Sequence, residues 1–302
     1  MLEKIYFWKV RRGYSTPIVA SAVIVCVLVM LAGGAWAWWY YGIKVPADKK
    51  HLAHQQALRK QQADLAAITS FYKKSLSGAD ITQVINVLGE IRYNTVALSA
   101  LGIAIENRNF VCDTKSCALG FKIQSNAILI LPVIAFFGKN YAASVPVRRE
   151  EDRAPINDFE YTRLALPLAE NKLLNQWRSK KTLSLYSCNE IISYINSYNS
   201  LLNIAKRDKA QRDGMIFFKS YPSSSVKDKE KQLAGHLKFR GLMSANWEMQ
   251  VSDDSAFFFS RAPEINAQVA LYKQAYRDAF LIKKVESNDK GIKISGGLVC
   301  KA

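Results

Sequence analysis

Histidine is scarce in this chain, and so are the patterns that accompany most enzymatic sites. Only three of the 302 residues are histidine, and His51 and His54 fall together in one polar segment near the N-terminus. His236 is therefore the one candidate base for a Ser-His or Cys-His pair in the rest of the chain. The sequence has no Gly-x-Ser-x-Gly elbow, no P-loop and no Rossmann glycine pattern. We predict no catalytic residue, no cofactor and a protein that is not an enzyme.

Cysteine is also sparse, and its spacing does not suit a metal centre. Cys112 and Cys117 have four residues between them, which is wider than the usual zinc knuckle, and neither a C-x-x-C pair nor a nearby histidine is present. We predict no metal site. Cys26 falls in an apolar run and is expected to be a small apolar residue. Four cysteines remain, and an even number is typical of disulfides in an oxidising compartment such as the bacterial periplasm.

The surroundings of Cys112 and Cys117 favour one disulfide pairing. The residues Asp-Thr-Lys-Ser stand between them, with apolar runs on either side, which predicts a β-hairpin whose strands are joined at the turn. Cys188 and Cys300 would then form the second disulfide by elimination. Four cysteines allow three connectivities, and the sequence alone does not choose among them.

One long hydrophobic run is present near the N-terminus. Residues 17–43 contain no charged side chain, and about 20 apolar residues are enough for a helix to cross a bilayer core of ~30 Å. Aromatic rings of the kind that settle at the headgroup level follow the apolar part, and two arginines precede it. The predicted membrane-interface anchors are Trp36, Trp38, Trp39, Tyr40, Tyr41, Arg11 and Arg12.

The charges that flank this run do not decide its orientation. Residues 1–15 contain four basic residues and one acidic residue, and residues 43–60 contain five and one. We predict a cytoplasmic N-terminus, because long domains translocate largely regardless of charge. The chain is then a single-pass protein of the bacterial inner membrane with a periplasmic C-terminal part. The alternative is a cleaved signal peptide. Arg11-Arg12 would then be a twin-arginine signal and the Ala-Trp-Ala at 35–37 a cleavage site, although the apolar run is longer than a usual signal core.

Positive charge dominates the composition. Lysine and arginine number 42 against 25 aspartate and glutamate residues, so the formal net charge is +17. Outside the inner membrane such a surplus favours anionic lipid headgroups or an acidic protein partner. We therefore predict contact with inner-membrane lipid and no nucleic-acid partner. A solvated basic surface without a particular ligand is the alternative.

Residues 44–77 are predicted to form a helical stalk. They are rich in alanine, glutamine, lysine and leucine, which favour helices. Apolar residues recur at seven-residue spacing over a short stretch, and this indicates an imperfect heptad repeat. We predict that the stalk pairs with another helix through Leu58, Leu65, Ile68 and Tyr72, and that exposed sheet edges carry further pairing.

The rest of the chain is predicted to be α+β. After the tail (1–15), the transmembrane helix (16–43) and the stalk (44–77), we expect two periplasmic domains, at 78–185 and 186–302. Hydrophobic periodicity predicts helices at 80–93, 187–206 and 263–279. A β-hairpin is predicted at 109–124, and further strands at 96–105, 141–147, 159–168, 214–220, 237–251, 257–260, 280–286 and 291–300.

Two further segments complete this prediction. The polar residues 221–232 are expected to be a loop, and the apolar residues 127–137 are too few for a second span. In the second half the order helix, strand, strand, helix, strand, strand is similar to a ferredoxin-like layer, with helices on one face of an antiparallel sheet. The first half is expected to be a degenerate copy, so one or two ferredoxin-like domains are predicted.

The layout of short tail, single span, stalk and disulfide-bearing α+β domains resembles a known family. The strand-turn-strand FVCDTKSCALGF at 110–121 and the closing strand GIKISGGLVC at 291–300 carry the likeness at residue level. The chain thereby resembles the PilN/PilO-like inner-membrane accessory proteins, the assembly-platform subunits of bacterial type IV pili and type II secretion. The insertion at 128–185 and the high positive charge depart from that family.

The resemblance implies a non-enzymatic scaffold. Such a subunit connects the inner-membrane platform with periplasmic and outer-membrane parts of a pilus or secretion machine. Its implied partners are other inner-membrane subunits of the machine, in a homo- or hetero-oligomer, and a secretin or pilot-type protein. Two alternatives remain: an inner-membrane core subunit of a type IV secretion system, and a membrane-anchored periplasmic enzyme or envelope-polymer binder.

Overall fold

The structure is a computed structural model with α+β architecture. It describes residues 16–101, 103, 105–124, 131–145, 158–205, 213–252 and 262–302. Two compact units are present, unit 1 (Met1–Asp64) and unit 2 (Leu65–Ala302).

Helical residues follow one another without a break at the N-terminal end of the described chain. Helix α1 (Thr16–Trp39) leads into a π-helical turn (Tyr40–Lys44) and then into α2 (Val45–Ser75). Residue 46 is a proline, which has no backbone N–H to donate to a carbonyl four residues earlier. Just before it, the helix changes to π-type hydrogen bonding, in which the Val45 N–H donates to the carbonyl of Tyr40, five residues earlier. From Leu65 onward, α2 belongs to unit 2.

Unit 2 contains the remaining described elements. Its further helices are α3 (Ile81–Ala100), α4 (Lys172–Arg178), α5 (Cys188–Ala205), α6 (Lys227–Gln232) and α7 (Pro263–Tyr272), with a 3-10 turn at Arg277–Ala279. Its strands are β1 (Ile105–Cys112), β2 (Ser116–Ile123), β3 (Val133–Phe136), β4 (Lys139–Ala142), β5 (Asp158–Ala165), β6 (Ile216–Ser223), β7 (Leu242–Val251), β8 (Phe280–Asn288) and β9 (Gly291–Lys301).

Seven of these strands form one antiparallel sheet. Its order is β5-β2-β1-β8-β9-β7-β6, and β3 and β4 form a separate hairpin. Strands from 78–185 and from 186–302 meet where β1 pairs with β8, with Val111 opposite Glu286 and Cys112 opposite Val285. The two ranges that the sequence divides into domains therefore contribute to a single sheet within unit 2.

Helices cover both faces of the sheet. On β8, Phe280 and Ile282 join the larger core cluster, to which α3, α5 and α7 contribute, whereas Leu281 joins a second cluster with residues of α2 and α4 and the two residues that flank α6. This alternation follows from the strand period of two. The two helices predicted for the second half, α5 and α7, both contribute to the larger cluster. The end of α2 and α4 cover the other face, and the sequence periodicity of the stalk did not reveal that its end packs on the sheet.

Several predicted boundaries also change. Helix α3 starts at an Asp80–Gln83 capping box and continues to Ala100, through residues predicted as a strand, because the buried Thr95 and Leu98 prolong its apolar face. The expected loop at 221–232 includes α6, and the helix predicted for 263–279 ends at Tyr272. The predicted strand at 257–260, like residues 127–130 of the apolar run, lies outside the described residues.

Close packing against the neighbouring strand explains why β9 has glycine at positions 296 and 297. A Cβ atom on Gly296 would lie 2.0 Å from the carbonyl oxygen of Leu281 on the neighbouring strand. At the next position, the Gly297 carbonyl accepts a hydrogen bond of 3.0 Å from the indole N–H of the buried Trp247. The closing strand thus brings β7, β8 and β9 into close contact.

Candidate functional site

Helix α1 is long and apolar enough to cross a membrane. Its 24 residues span about 36 Å at ~1.5 Å per residue, more than the ~30 Å of a bilayer core. The side chains described along it, from Ser21, are almost all exposed, as those of a lipid-facing helix would be. Cys26 is exposed in this segment and is the free cysteine of the described chain.

The predicted aromatic anchors gather at the end of α1. The side chains of Trp36, Trp38, Trp39 and Tyr41 are exposed, while Tyr40 is half-buried and stacks on Trp36 with ring centroids 5.2 Å apart. The Lys44 ammonium lies 5.7 Å from the ring centroids of both Trp39 and Tyr40. Rings and ammonium at one helix end are typical of a membrane-water interface.

The other two predicted anchors cannot be placed in the same way. Arg11 and Arg12 lie outside the described residues.

The four residues predicted to pair the stalk have different environments. Leu58 is 44% exposed and Leu65 is half-buried, whereas Ile68 and Tyr72 are only 4% and 2% exposed. Ile68 and Tyr72 pack with Leu76 in the second core cluster of unit 2. They are therefore unavailable to a partner helix. The heptad spacing arises in part because the end of α2 packs on its own sheet.

A buried hydrogen-bond network fixes this end of α2. The Tyr72 hydroxyl donates to Oε1 of Glu230 over 2.8 Å, and Oε2 of the same carboxylate accepts from the Gly241 N–H over 3.0 Å. Burial, and then the hydrogen bond to Glu230, raises the pKa of Tyr72 well above its ordinary value. The network joins α2, α6 and the start of β7.

The structure joins Cys112 to Cys117 and Cys188 to Cys300, the connectivity that the hairpin favours in the sequence. The first disulfide closes the β1–β2 turn, where the Asp113 carboxylate accepts from the N–H groups of Ser116 and Lys115 over 2.8 and 2.6 Å. These bonds lower the pKa of Asp113.

The second disulfide acts over a much longer range. It joins the first residue of α5 to the end of β9, across 112 positions of sequence.

Both edges of the sheet are partly protected. On β6, Lys219 and Pro222 interrupt the edge, and its pairing with β7 shifts register twice. On β5, Glu160 exchanges two backbone hydrogen bonds of 2.8 Å with Ser144. Lysine, proline, bulges and covering segments are the usual devices that prevent edge-to-edge pairing. The described sheet edges are accordingly poor candidates for pairing with another chain.

Residues suited to catalysis or metal binding are dispersed. His236 is exposed just after α6, and His51 and His54 are exposed on α2. Within the described ranges, no three histidine, cysteine, aspartate or glutamate side chains lie close enough together to hold a metal ion.

A pocket that the sequence does not predict lies on the α2 and α6 face of the sheet. Lys74, Lys229 and Lys283 line it together with serine and asparagine side chains. The lysines come from α2, α6 and β8, so no local spacing could have identified them.

No protein-family model matches this chain, and neither the curated proteins nor the solved structures compared with it include a match.

Proposed function

We propose that the chain is a non-enzymatic scaffold subunit of an envelope-spanning machine that assembles type IV pili or carries out type II secretion. Helix α1 holds it in the bacterial inner membrane, with the N-terminus in the cytoplasm and unit 2 in the periplasm. There it links the inner-membrane platform to periplasmic and outer-membrane parts. The two disulfides support this location, because such bonds persist in oxidising compartments.

One observation carries the proposal. Helix α2 follows the apolar segment in sequence, and its final turns supply Ile68 and Tyr72 to the core of unit 2, next to Leu76, which follows the helix. The last turns of the helix that follows the apolar segment in sequence are thus part of the core of unit 2. This construction suits a protein whose role is to hold partners at the membrane surface.

The second half of unit 2 supports a ferredoxin-like assignment. Its strands are neighbours in the order β8-β9-β7-β6, with α5 before β6 and α7 between β7 and β8. The ferredoxin-like motif has the chain order β-α-β-β-α-β. If the first strand of this motif is moved to its end, the chain order becomes α-β-β-α-β-β and the order of the strands in the sheet does not change. This is the arrangement of α5, β6, β7, α7, β8 and β9, in which β9 takes the place of the moved strand. We propose a circularly permuted ferredoxin-like half.

The proposed pairing surface is the exposed part of α2. Every residue from 47 to 60 is exposed, and Leu52 and Leu58 are 56% and 44% exposed on an otherwise polar helix. A helix that is polar on all sides obtains little stability from its own packing. We propose that a second helix packs along Leu58, from another copy of the chain or from another inner-membrane subunit.

Cysteine cross-linking in cells tests this surface. Leu58→Cys and Lys60→Cys are introduced separately into full-length Cys26→Ser protein, where the other cysteines are held in disulfides. Lys60 is exposed but lies about 200° around the helix from Leu58. We expect a cross-linked species with Leu58→Cys and little with Lys60→Cys. Equal cross-linking at both positions, or none at Leu58→Cys, contradicts the proposed pairing.

The alternatives make different predictions. An inner-membrane core subunit of type IV secretion would be recovered with that system's components. A periplasmic enzyme that uses the single histidine beyond the stalk would lose its activity on His236→Ala. A scaffold should tolerate that change, because His236 is exposed and its backbone N–H bonds only to the Leu233 carbonyl.

A further inference from the structure

A pocket of about 530 Å³ lies within unit 2, on the face of the sheet that carries α2 and α6. Ser244 and Asn246 of β7 and Gly297 of β9 form its floor, and residues of α2 and of the start of α6 form its walls. Alternation along β7 explains the floor, because Ser244 and Asn246 face away from the core residues Ala245 and Trp247. The volume is within the range of small-molecule sites, roughly 300–1,000 Å³.

The charge of this pocket has one sign. Lys74, Lys229 and Lys283 line it, and none of its lining residues is acidic. The remaining polar groups include the hydroxyls of Ser70 and Ser244, which can donate hydrogen bonds to an anion. Clustered ammonium groups repel one another, and the repulsion is stronger where water is partly excluded.

Lys283 has the most constrained position of the three. It is half-buried, and its Nζ donates to the Lys74 carbonyl over 3.2 Å in the last turn of α2. Burial, followed by the positive charge of Lys74, lowers the pKa of Lys283. Among the described residues, neither of these two lysines forms an ion pair with a carboxylate. A bound anion would offset the cost of keeping both charges there.

We propose that this lysine pocket binds a phosphate group, either inorganic phosphate or the phosphoryl end of a small polyol phosphate. A phosphate oxygen can accept from an ammonium on each side, and serine hydroxyls can satisfy the others. The pocket is larger than phosphate alone, and Phe71 is among its lining residues, so its volume leaves room for a glycerol or sugar unit beside the anion. This site does not depend on the proposed scaffold function.

Calorimetric titration of the full-length protein in a maltoside detergent tests the proposal. The probes are inorganic phosphate and glycerol 3-phosphate, with sodium chloride at matched ionic strength as the reference. We compare wild type with Lys74→Gln, Lys283→Gln and the control Lys290→Gln, an exposed lysine in the β8–β9 turn that does not line the pocket. Lys74→Gln keeps the backbone carbonyl to which Lys283 donates, so it separates loss of charge from loss of that hydrogen bond.

Loss of one charge-assisted hydrogen bond predicts at least a tenfold increase in Kd for both pocket variants and less than a twofold change for Lys290→Gln. Thermal unfolding gives a second readout. Phosphate should raise the Tm of wild type but not of Lys74→Gln, whose Tm without phosphate should equal or exceed that of wild type. Equal Kd values in wild type and both pocket variants would overturn the proposal.

A third probe distinguishes the source of the phosphate. Nanodiscs of phosphatidylglycerol and of phosphatidylcholine present the headgroup in a bilayer. If the lysine-dependent stabilisation appears with glycerol 3-phosphate, the ligand is a soluble phosphate, as proposed. If it appears only with phosphatidylglycerol, the ligand is the phosphodiester of a lipid headgroup, and the proposed soluble phosphate is wrong. If none of the probes produces a response that depends on Lys74, the pocket does not bind phosphate. Cross-linking through Leu58→Cys is unaffected in either case, so the two proposals fail separately.

Discussion

Replacing Tyr72 with phenylalanine tests how α2 is built into unit 2. The change removes one oxygen atom from a side chain that is 2% exposed, and it takes the donor from Oε1 of Glu230, which is itself 4% exposed. Oε2 keeps its bond from the Gly241 N–H, so the carboxylate loses one of its two partners.

Tyr72→Phe should lower the free energy of unfolding by about 2 kcal/mol. A hydrogen bond to a charged group contributes roughly 1.5–3 kcal/mol, and a buried polar atom left without a partner costs about 1–3 kcal/mol. Tyr72→Ala should cost more, about 4 kcal/mol, because it also leaves a cavity of the size that makes aromatic-to-alanine changes cost roughly 3–5 kcal/mol.

The assay is urea unfolding of the full-length protein in mild detergent, followed by tryptophan fluorescence. Trp177, whose ring centroid is 6.3 Å from that of Tyr72, and the buried Trp247 report on unit 2. Tyr93→Phe is the matched control, since Tyr93 is 67% exposed and the change should stay within about 0.5 kcal/mol. If Tyr72→Phe is as stable as this control, the network does not join α2 to the core.

Two further predictions concern the disulfides and alkaline pH. Replacing Cys188 and Cys300 with alanine should lower the free energy of unfolding by about 4–5 kcal/mol in the chain-entropy model, because that disulfide spans 112 positions of sequence. Replacing Cys112 and Cys117, which are 5 positions apart, should lower it by only about 2 kcal/mol. Equal losses in urea unfolding would argue against loop length as the cause. Burial raises the pKa of Tyr161 to about 12, so the stability from its neutral phenol is complete below pH ~10 and is lost as the pH rises towards 12. Unfolding measured from pH 8 to 12 should therefore show a shallower decline for Tyr161→Phe, and an unchanged decline would refute this assignment.

Local signals predicted the parts of the fold that depend on neighbouring residues. The Asp-Thr-Lys-Ser turn between Cys112 and Cys117 specifies the β1–β2 hairpin, because Asp113 bonds the N–H groups that follow it. Pro263 marks the first turn of α7, where proline is tolerated. Apolar positions at helical spacing identified α5 almost to its ends.

Features that depend on distant residues could not be predicted. The β1–β8 pairing, which makes one sheet of two ranges, joins Val111 to Glu286. The role of Tyr72 depends on Glu230, 158 positions later. The spacing of Leu58, Ile68 and Tyr72 is the same for a coiled coil and for a helix that lies on a sheet, and only the packing distinguishes the two.

The lysine pocket also depends on residues that are far apart in the sequence. Lys74, Lys229 and Lys283 belong to three elements, and each is an ordinary lysine in its own segment. The net charge of +17 indicates a surplus of cations but not where they converge.

Affinity purification after cross-linking in cells tests the central claim most directly. The full-length protein is cross-linked in its native envelope and purified in mild detergent, and the proteins recovered with it are identified by mass spectrometry. A scaffold subunit should be recovered with the ATPase, platform and channel components of one pilus or secretion machine. Recovery of the protein alone, or only with envelope polymer, would contradict the scaffold function.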